Sequence, residues 1–346
     1  MSGVIFISRK RSCPGNKGLI LIVALWSLCI LSSFAVIIGY QVRQKLILVK
    51  RLEERSKLHF IAEAGICKVA VALKKELKKA YDTVNDPWSN DPGFFRNAAV
   101  ADGVFDIYYD YTDPGSGQVL RRYGMIDEES RININTADFK TLTRIFHSAL
   151  NVDESDAEGL AASVIDWRDS DSSLTLSDRS AEDSFYRSGN FPYESKDAGF
   201  QVLEELFLVR GFNENIFEKI RPYITIYSSG KVNINTASKP VLAALGLDNS
   251  VAENITLFRA GKDGISGTAD DNIFETTGDI APKLSQAYNM TVNQVAQLSS
   301  VVTQSITVRS SVFKGKSRAR LNGRKDTVEI DFVIDRSGRV LSYREG

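Results

Sequence analysis

Residues 19–40 form a run of 22 positions without one charged side chain. A helix of that length rises ~33 Å at ~1.5 Å per residue, enough to cross a hydrocarbon core of ~30 Å. Basic residues stand on both sides: Arg9, Lys10, Arg11 and Lys17 before the run, Arg43, Lys45, Lys50 and Arg51 after it. With both flanks basic, the positive-inside rule does little to orient the span. The run is too long for the apolar core of a secretory signal, and no Ala-x-Ala-like cleavage site follows. Nor does it end in a polar loop, as an ordinary signal anchor would. Residues 41–80 contain no proline and only one glycine, Gly65. Leu46, Val49, Leu52, Leu58, Ile61, Ala62, Ile66, Val69, Ala70 and Leu73 recur there at spacings of three and four, and Glu53 precedes Lys57 by four. The two stretches predict one helical spine of ~60 residues, or ~90 Å.

Lysine plus arginine equals aspartate plus glutamate at 43 each, so net charge gives no reason to expect a nucleic acid or a charged membrane surface as partner. Cys13, Cys29 and Cys67 do not make a disulfide framework. With only His59 and His147, far apart in sequence, neither a zinc site nor a histidine-based triad is expected.

Beyond the spine, residues 85–103 are rich in Asn, Asp, Pro and Gly and read as a loop. Residues 104–110 and 119–125 read as the strands of a hairpin around a turn at Asp113-Pro114-Gly115-Ser116-Gly117. From Ile132 to about Val302 the pattern is one of short helices. That region carries an internal repeat. Arg131-Ile132-Asn133-Ile134-Asn135-Thr136-Ala137 returns as Lys231-Val232-Asn233-Ile234-Asn235-Thr236-Ala237, each copy leading into a helix. Asn135 or Thr136, and Asn235 or Thr236, are the expected N-caps. Between the copies, Leu203–Leu206 leads through Val209-Arg210-Gly211-Phe212 to a helix stopped by Pro222. The tail returns to strand composition at residues 304–309, 327–334 and 339–344, with turns at Asn322-Gly323 and Arg336-Ser337-Gly338.

Such units have the form of helix-hairpin-helix modules, which hold phosphate on hairpin N–H groups with basic residues nearby. Here the hairpin after the first helix, Asn151-Val152-Asp153-Glu154-Ser155, is acidic and lacks glycine, and Leu245-Gly246-Leu247-Asp248 lacks a basic residue. A compact helical interaction domain fits better than a DNA-binding one.

The densest chemistry lies at residues 153–183, with ten acidic residues against two basic ones, Arg168 and Arg179. Its centre is Asp166-Trp167-Arg168-Asp169-Ser170-Asp171, followed by Glu182-Asp183. Carboxylates at this density are either solvated or gathered on a cation, and oxygen ligands without Cys or His suit Ca²⁺. The spacing is not that of an EF-hand. Asp263, Asp270 and Asp271, in a Gly- and Asp-rich string, form a lesser candidate. No nucleophile with a partner base emerges, and an enzyme is not expected.

The layout resembles that of the K-type minor pseudopilins of type II (general) secretion systems along nearly the whole chain. Lys17-Gly18 directly before the apolar run is similar to a prepilin peptidase site. Glu63-Ala64-Gly65 resembles the family's segment on the spine. Ile165-Asp166-Trp167 with Asp169, Asp171, Ala181-Glu182-Asp183 and Tyr186 resembles its acidic calcium loop. The residues from Leu203 to Arg221-Pro222-Tyr223 and the Asn-Ile-Asn-Thr-Ala repeats match as well.

The resemblance implies an α+β pseudopilin fold, a long N-terminal helix packed on an antiparallel sheet, with a large inserted helix-hairpin-helix-like all-α domain. The implied division is a leader at 1–18, a transmembrane helix at 19–40, a periplasmic helix at 41–82, a first hairpin at 83–130, the insert at 131–303 and closing strands at 304–346. It further implies cleavage between Gly18 and Leu19, which makes Val23 the fifth mature residue. Major pseudopilins carry a glutamate there, which is costly in a bilayer unless paired, for instance with the N-terminal amine of the subunit ahead. The K-type lacks it, and a subunit without it needs none ahead, as at a filament tip. Also implied are a structural Ca²⁺ on Asp166, Asp169, Asp171, Glu182 and Asp183; the I-type and J-type minor pseudopilins, prepilin peptidase and inner-membrane secretion machinery as partners; and an inner-membrane, single-pass location with a periplasmic C-terminal domain. The alternatives are a type IV pilus minor pilin and a membrane-anchored DNA-uptake receptor.

Overall fold

The computed structural model describes residues 17–112, 119–188 and 191–346. In chain order, α1 (Lys17–Lys75) is one continuous helix, followed by α2 (Pro92–Phe95), β1 (Ala98–Val100), β2 (Gly103–Thr112), β3 (Val119–Arg122) and β4 (Ile126–Asp127). A helical region comes next: β5 (Ile132–Asn133), α3 (Phe139–Leu150), α4 (Glu154–Arg168), α5 (Asp183–Arg187), α6 (Glu214–Ile220) and β6 (Ile224–Thr225). It continues through β7 (Val232–Asn233), α7 (Lys239–Ala244), α8 (Asn249–Arg259), α9 (Ile280–Ala287), α10 (Val292–Ser305) and β8 (Ile306–Thr307). The chain closes with β9 (Val312–Leu321), β10 (Thr327–Asp335) and β11 (Val340–Glu345). The fold is α+β, with a long N-terminal helix, an antiparallel sheet and a helical insert.

Contacts divide the chain into a segment ending at Lys57 and a compact body from Leu58 to Gly346. In the first, the apolar side chains from Leu19 to Leu52 are exposed on α1, which is long and apolar enough to cross a membrane. Gly18, Leu19 and Val23 lie on this helix, whereas residues 1–16, which carry most of the expected leader, lie outside the described residues.

In the body, Leu58, Ile61, Ala62, Ile66, Val69 and Leu73 form the buried stripe of α1. They pack on Phe105 and Ile107 of β2, Phe313 of β9, and Ile330, Phe332 and Ile334 of β10. The sheet order is β1-β2-β9-β10-β11, with β3 on β2 and β4 on β9, every pairing antiparallel. Helix and sheet come closest at Gly65. A Cβ there would lie 2.7 Å from Ser317 Oγ and 2.9 Å from a Phe105 ring carbon. Ser317 in turn donates to the Ala62 carbonyl at 2.8 Å.

Several expectations are corrected. Residues 304–309 are not part of the main sheet: α10 runs to Ser305, and Ile306–Thr307 pairs in parallel with Val232–Asn233. The cause is burial, since Ile306 and Val308 belong to the core of the helical insert. Strand β9 went unassigned because its buried face is largely small (Gly315, Ser317, Ala319) and its other face is Lys314, Lys316, Arg318 and Arg320. The expected loop at 85–103 contains α2, capped by Asp91 accepting from Phe94 N at 3.0 Å, and β1. The helix predicted to reach 80 ends at Lys75, where Arg336 Nη1 takes the Glu76 carbonyl at 3.0 Å. The turn expected at 113–117 lies outside the described residues.

The insert leaves the sheet after β4 and returns before β9, and these two strands pair through Asp127 and Phe313. A buried polar knot ties both crossings. Asp127 accepts from Glu129 N (2.8 Å), Asn233 Nδ2 (3.2 Å), Thr236 Oγ1 (2.5 Å) and Ser310 Oγ (2.6 Å). Asp82, fully buried, pairs with Arg336 and accepts from Ser310 N at 2.7 Å. Burial, and then the neighbouring Glu129 charge, hold the Asp127 carboxyl well above the usual range.

Two outcomes follow for unfolding of the purified chain in denaturant. Gly65→Val should cost about 1–3 kcal/mol by forcing α1 off β9. Asp127→Ala should cost roughly 3–5 kcal/mol, because three side-chain donors lose a buried acceptor together, and Asp127→Asn should cost less. A raised native pKa contributes stability that is complete at acid pH and lost as pH rises. The advantage of wild type over Asp127→Asn should therefore be largest at acid pH and narrow as pH rises through the raised native pKa of Asp127; a gap that widens would contradict this account.

Candidate functional site in the helical insert

The sequence repeat builds two equivalent brackets. Asn133 Oδ1 accepts from Asn135 N at 2.9 Å, and Asn233 Oδ1 from Asn235 N at 3.0 Å. Asn135 then pairs both ways with the Phe200 backbone, receiving N–H at 2.7 Å and donating to the carbonyl at 3.0 Å. Asn235 does the same with Phe274, at 3.0 and 2.9 Å. So these asparagines are not helix caps as expected. Asp138 caps α3 instead, accepting from Thr141 N at 2.8 Å. Each bracket also holds an arginine that sequence reasoning missed. Arg168 donates to the carbonyls of Ile134 and Ala137 (2.5 Å to the latter), and Arg259 to those of Ile234 and Ala237 (2.6 and 2.8 Å). The available signal was that an arginine ends the second helix of each copy.

These arginines bear on the nucleic-acid reading. Both guanidinium groups are spent on backbone carbonyls of the repeat, so neither offers a cation to a phosphate chain. At the first hairpin Asn151, left-handed at φ 53°, ends α3 in place of a glycine, and the flanking residues Asp153 and Glu154 are acidic.

Between Arg168 and Phe200 the first unit carries the acidic loop. Asp166, in the last turn of α4, is fully buried; its Oδ1 accepts from Thr175 N at 2.9 Å and its Oδ2 has no partner. Asp169 Oδ1 and Glu182 Oε1 are likewise buried without a partner. Burial and then the Asp166 charge push the Glu182 carboxyl up to about 7, with Asp169 and Asp197 adding. Burial, then Asp171 and Asp166, raise Asp169. Asp171 is exposed and accepts from Ser173 N at 2.8 Å.

Asp183 stands apart from these. Its Oδ1 takes Ser195 N at 2.9 Å and Ser195 Oγ at 2.8 Å, and its Oδ2 pairs with Arg187 at 2.8 Å. The Ser195 bonds pull its carboxyl below the usual range. Asp183 is a buckle for the loop rather than a free ligand. Asp197, left-handed at φ 51°, joins the field on Glu182 and was missed, because it falls after the acid-rich window. Trp167 walls the loop from beneath, edge-on to Tyr186 with ring centroids 5.3 Å apart.

Three buried carboxylate oxygens that accept no hydrogen bond fit a hard, oxygen-seeking cation. No three of the five expected ligands bring an oxygen within 4.8 Å of one another. Among the described residues only Glu76, Asp82 and Asp86 do so. Two of that trio are already paired, Asp86 with Lys79 and Asp82 with Arg336, while Glu76 has no ion pair among the described residues and its carboxyl is raised by burial and then by Asp86.

The lesser candidate is the corresponding loop of the second unit, and it satisfies itself. Asp270 Oδ2 accepts from Lys262 N (2.7 Å) and Asp263 N (3.1 Å), while Asp271 Oδ2 accepts from Gly267 N (2.8 Å). Hydrogen bonds from Thr268 and then from these amides hold the Asp270 carboxyl down at about 2.

Comparison with known proteins places this architecture. Residues 127–229, from the polar knot to the end of the first unit, match a family model described as type II secretion system (T2SS), protein K. The chain is 23% identical over 299 residues to type II secretion system protein K of Pseudomonas aeruginosa, covering 82% of this chain and 85% of that protein. It is 36% identical over 98 residues to protein K of Aeromonas hydrophila, covering 28% of this chain and 29% of that one. Its fold is similar to a chain in the crystal structure of the GspK–GspI–GspJ complex from the type 2 secretion system of enterotoxigenic Escherichia coli. That match has a TM-score of 0.61 and 19% identity, over 86% of this chain and 99% of that one.

Proposed function

We infer that this chain is a K-type minor pseudopilin of a type II secretion system, a structural subunit of the machinery for protein secretion. The observation that carries the reading is collinearity. The likeness to protein K runs through 82% of the chain, across helix, sheet and insert alike, rather than through the helical units alone. A DNA-uptake receptor would share only those units, and its rationale is weakened by the inward-turned Arg168 and Arg259.

The finer reading has three parts. Prepilin peptidase cleaves between Gly18 and Leu19, and α1 serves as an inner-membrane anchor with the body in the periplasm. The chain then joins the I-type and J-type minor pseudopilins at the pseudopilus tip. This reading draws on the uncharged Val23 and on the complex in which the structural neighbour was crystallised. A valine at the fifth mature position makes no demand on the amine of a preceding subunit, so the others assemble beneath it.

The third part is a structural Ca²⁺ in the acidic loop. Asp166, Asp169 and Glu182 would supply the buried oxygens, with Asp171 and Asp197 at the exposed side and Asp183 holding the frame. A bound divalent cation supplies the positive charge that this carboxylate cluster lacks and ties α4 to the segment before α5.

Two experiments test the reading. Co-expression with prepilin peptidase and the I- and J-type proteins should give a mature chain beginning at Leu19 that co-purifies with both. An intact leader, or no complex, would overturn the assignment. For calcium, the full chain in detergent should contain bound Ca²⁺ and melt about 5–10 °C lower in chelator. Asp166→Asn should abolish that difference and Asp183→Asn should retain part of it. An unchanged melting temperature together with no bound metal rules the ion out.

A further inference from the structure

The sheet face turned away from α1 carries a cleft of about 270 Å³ lined by four arginines, three from two strands and one from the segment before β1. Arg318 and Arg320 come from β9, Arg121 from β3, and Arg96 from the residue before Asn97 and β1. Their support is built in. Arg318 binds Glu329 at 2.7 Å and the Tyr108 hydroxyl at 2.6 Å. Arg121 and Arg318 lie over the Tyr108 ring, 4.0 and 4.9 Å from its centroid. Tyr108 itself is almost fully buried. Arg320 pairs with Asp106 at 3.0 Å, and Asp106 is pinned by Asn97 N at 2.6 Å.

After these pairings the cleft still has donors to spare. Arg320 Nε is buried and has no acceptor. Arg121 meets Asp110 only at 3.3 Å on the exposed side. Arg96 has no carboxylate partner among the described residues and lies over the Tyr123 ring, 5.2 Å from its centroid. Arg318, Arg320 and Arg121 are each paired with a carboxylate, Glu329, Asp106 and Asp110 in turn, so the four cations of the cleft outnumber these three carboxylates by one, Arg96. An anion entering the cleft would meet Arg96, which no carboxylate pairs, together with the remaining donors of the other three arginines.

We propose that this cleft is an oxyanion site for a phosphate group, carried either by free phosphate or by a phospholipid headgroup. The arrangement of donors decides against a carboxylate. A planar carboxylate is filled by one or two guanidinium forks, whereas a tetrahedral phosphate accepts forks arriving from several directions. Tyr123 on the rim offers a hydroxyl and an apolar edge to whatever bears the phosphate. The site lies on the sheet, apart from the acidic loop, and does not depend on how that loop is filled.

The test uses the full chain in an uncharged detergent, titrated calorimetrically with inorganic phosphate and, separately, with short-chain phosphatidic acid. Sodium chloride at matched ionic strength and short-chain phosphatidylcholine are the controls. Saturable binding of inorganic phosphate, weakened about tenfold in Arg96→Gln, supports the site with free phosphate as ligand. Binding of phosphatidic acid alone, weakened by the same substitution, supports it with a lipid as the source. Arg96→Gln is the informative variant, since its side chain is exposed and its loss should leave the melting temperature unchanged. Arg320→Gln, which strips Asp106 of its partner, serves as a second. No saturation by either probe, or binding that Arg96→Gln leaves untouched, overturns the proposal.

Discussion

The body of this molecule hangs on a small group of buried polar side chains, one ion pair among them, where three parts of the chain cross. Asp127 lies where the chain leaves the sheet, Ser310 where it returns, and Asp82 just beyond the end of α1. Arg336, from the turn between β10 and β11, donates to the Ser310 carbonyl at 2.8 Å and closes the group. A buried ion pair is seldom a large net source of stability, because desolvation offsets most of its attraction. Its value is that wrong arrangements cost more. An insert docked in another register would leave Asp127, Asn233 and Asp82 buried without partners. The knot therefore acts as a register pin, which a purely apolar contact could not supply.

The same logic explains why the insert is a duplication. Each unit has a two-residue parallel pair, β5 with β6 and β7 with β8, too short to be stable by strand pairing alone. The asparagine bracket and the arginine that caps it supply the missing bonds: two amide bonds to a distant backbone and two guanidinium bonds to local carbonyls. Asn233 of the second unit reaches into the polar knot, while Asn133 of the first donates to the Ser228 carbonyl at 2.6 Å, within the insert. The bracket of the second unit is thus tied to the sheet, and that of the first to the end of its own unit.

How much of this was legible depended on which residues carried the signal. The spine was plain, because 22 uncharged residues followed by a stripe of period 3.6 admit little else. The repeat was visible as a string of identical letters, but its role was not. Asparagine before a helix reads as a cap, and only the fold shows Phe200 and Phe274 lying where the side chains bind them. Strand β9 was hidden for a steric reason: Ser317 lies opposite the close approach of α1 at Gly65, and Gly315 lies against Phe332 and Met125, so small residues stand where β-branched ones would mark a strand. In the acidic loop composition picked out the stretch, but could not tell Asp166, buried with a bare oxygen, from Asp183, fully engaged.

The two loops set on equivalent brackets show what a free oxygen means in this architecture. The shorter loop after α8 turns its aspartates onto its own amides, and the Asp270 carboxyl is held low as a result. The longer loop after α4 has amides as well, yet it leaves one oxygen each on Asp166, Asp169 and Glu182 without a donor, and the Glu182 carboxyl rises. Both solutions were open to loops of this composition, since a Ser or Asn hydroxyl or amide beside Asp166 would have quieted it. Three bare carboxylate oxygens are a cost to the fold, and the proposed cation is what would offset it. With the proposed Ca²⁺ bound, the first unit, and not the second, would couple the order of the insert to its ionic surroundings.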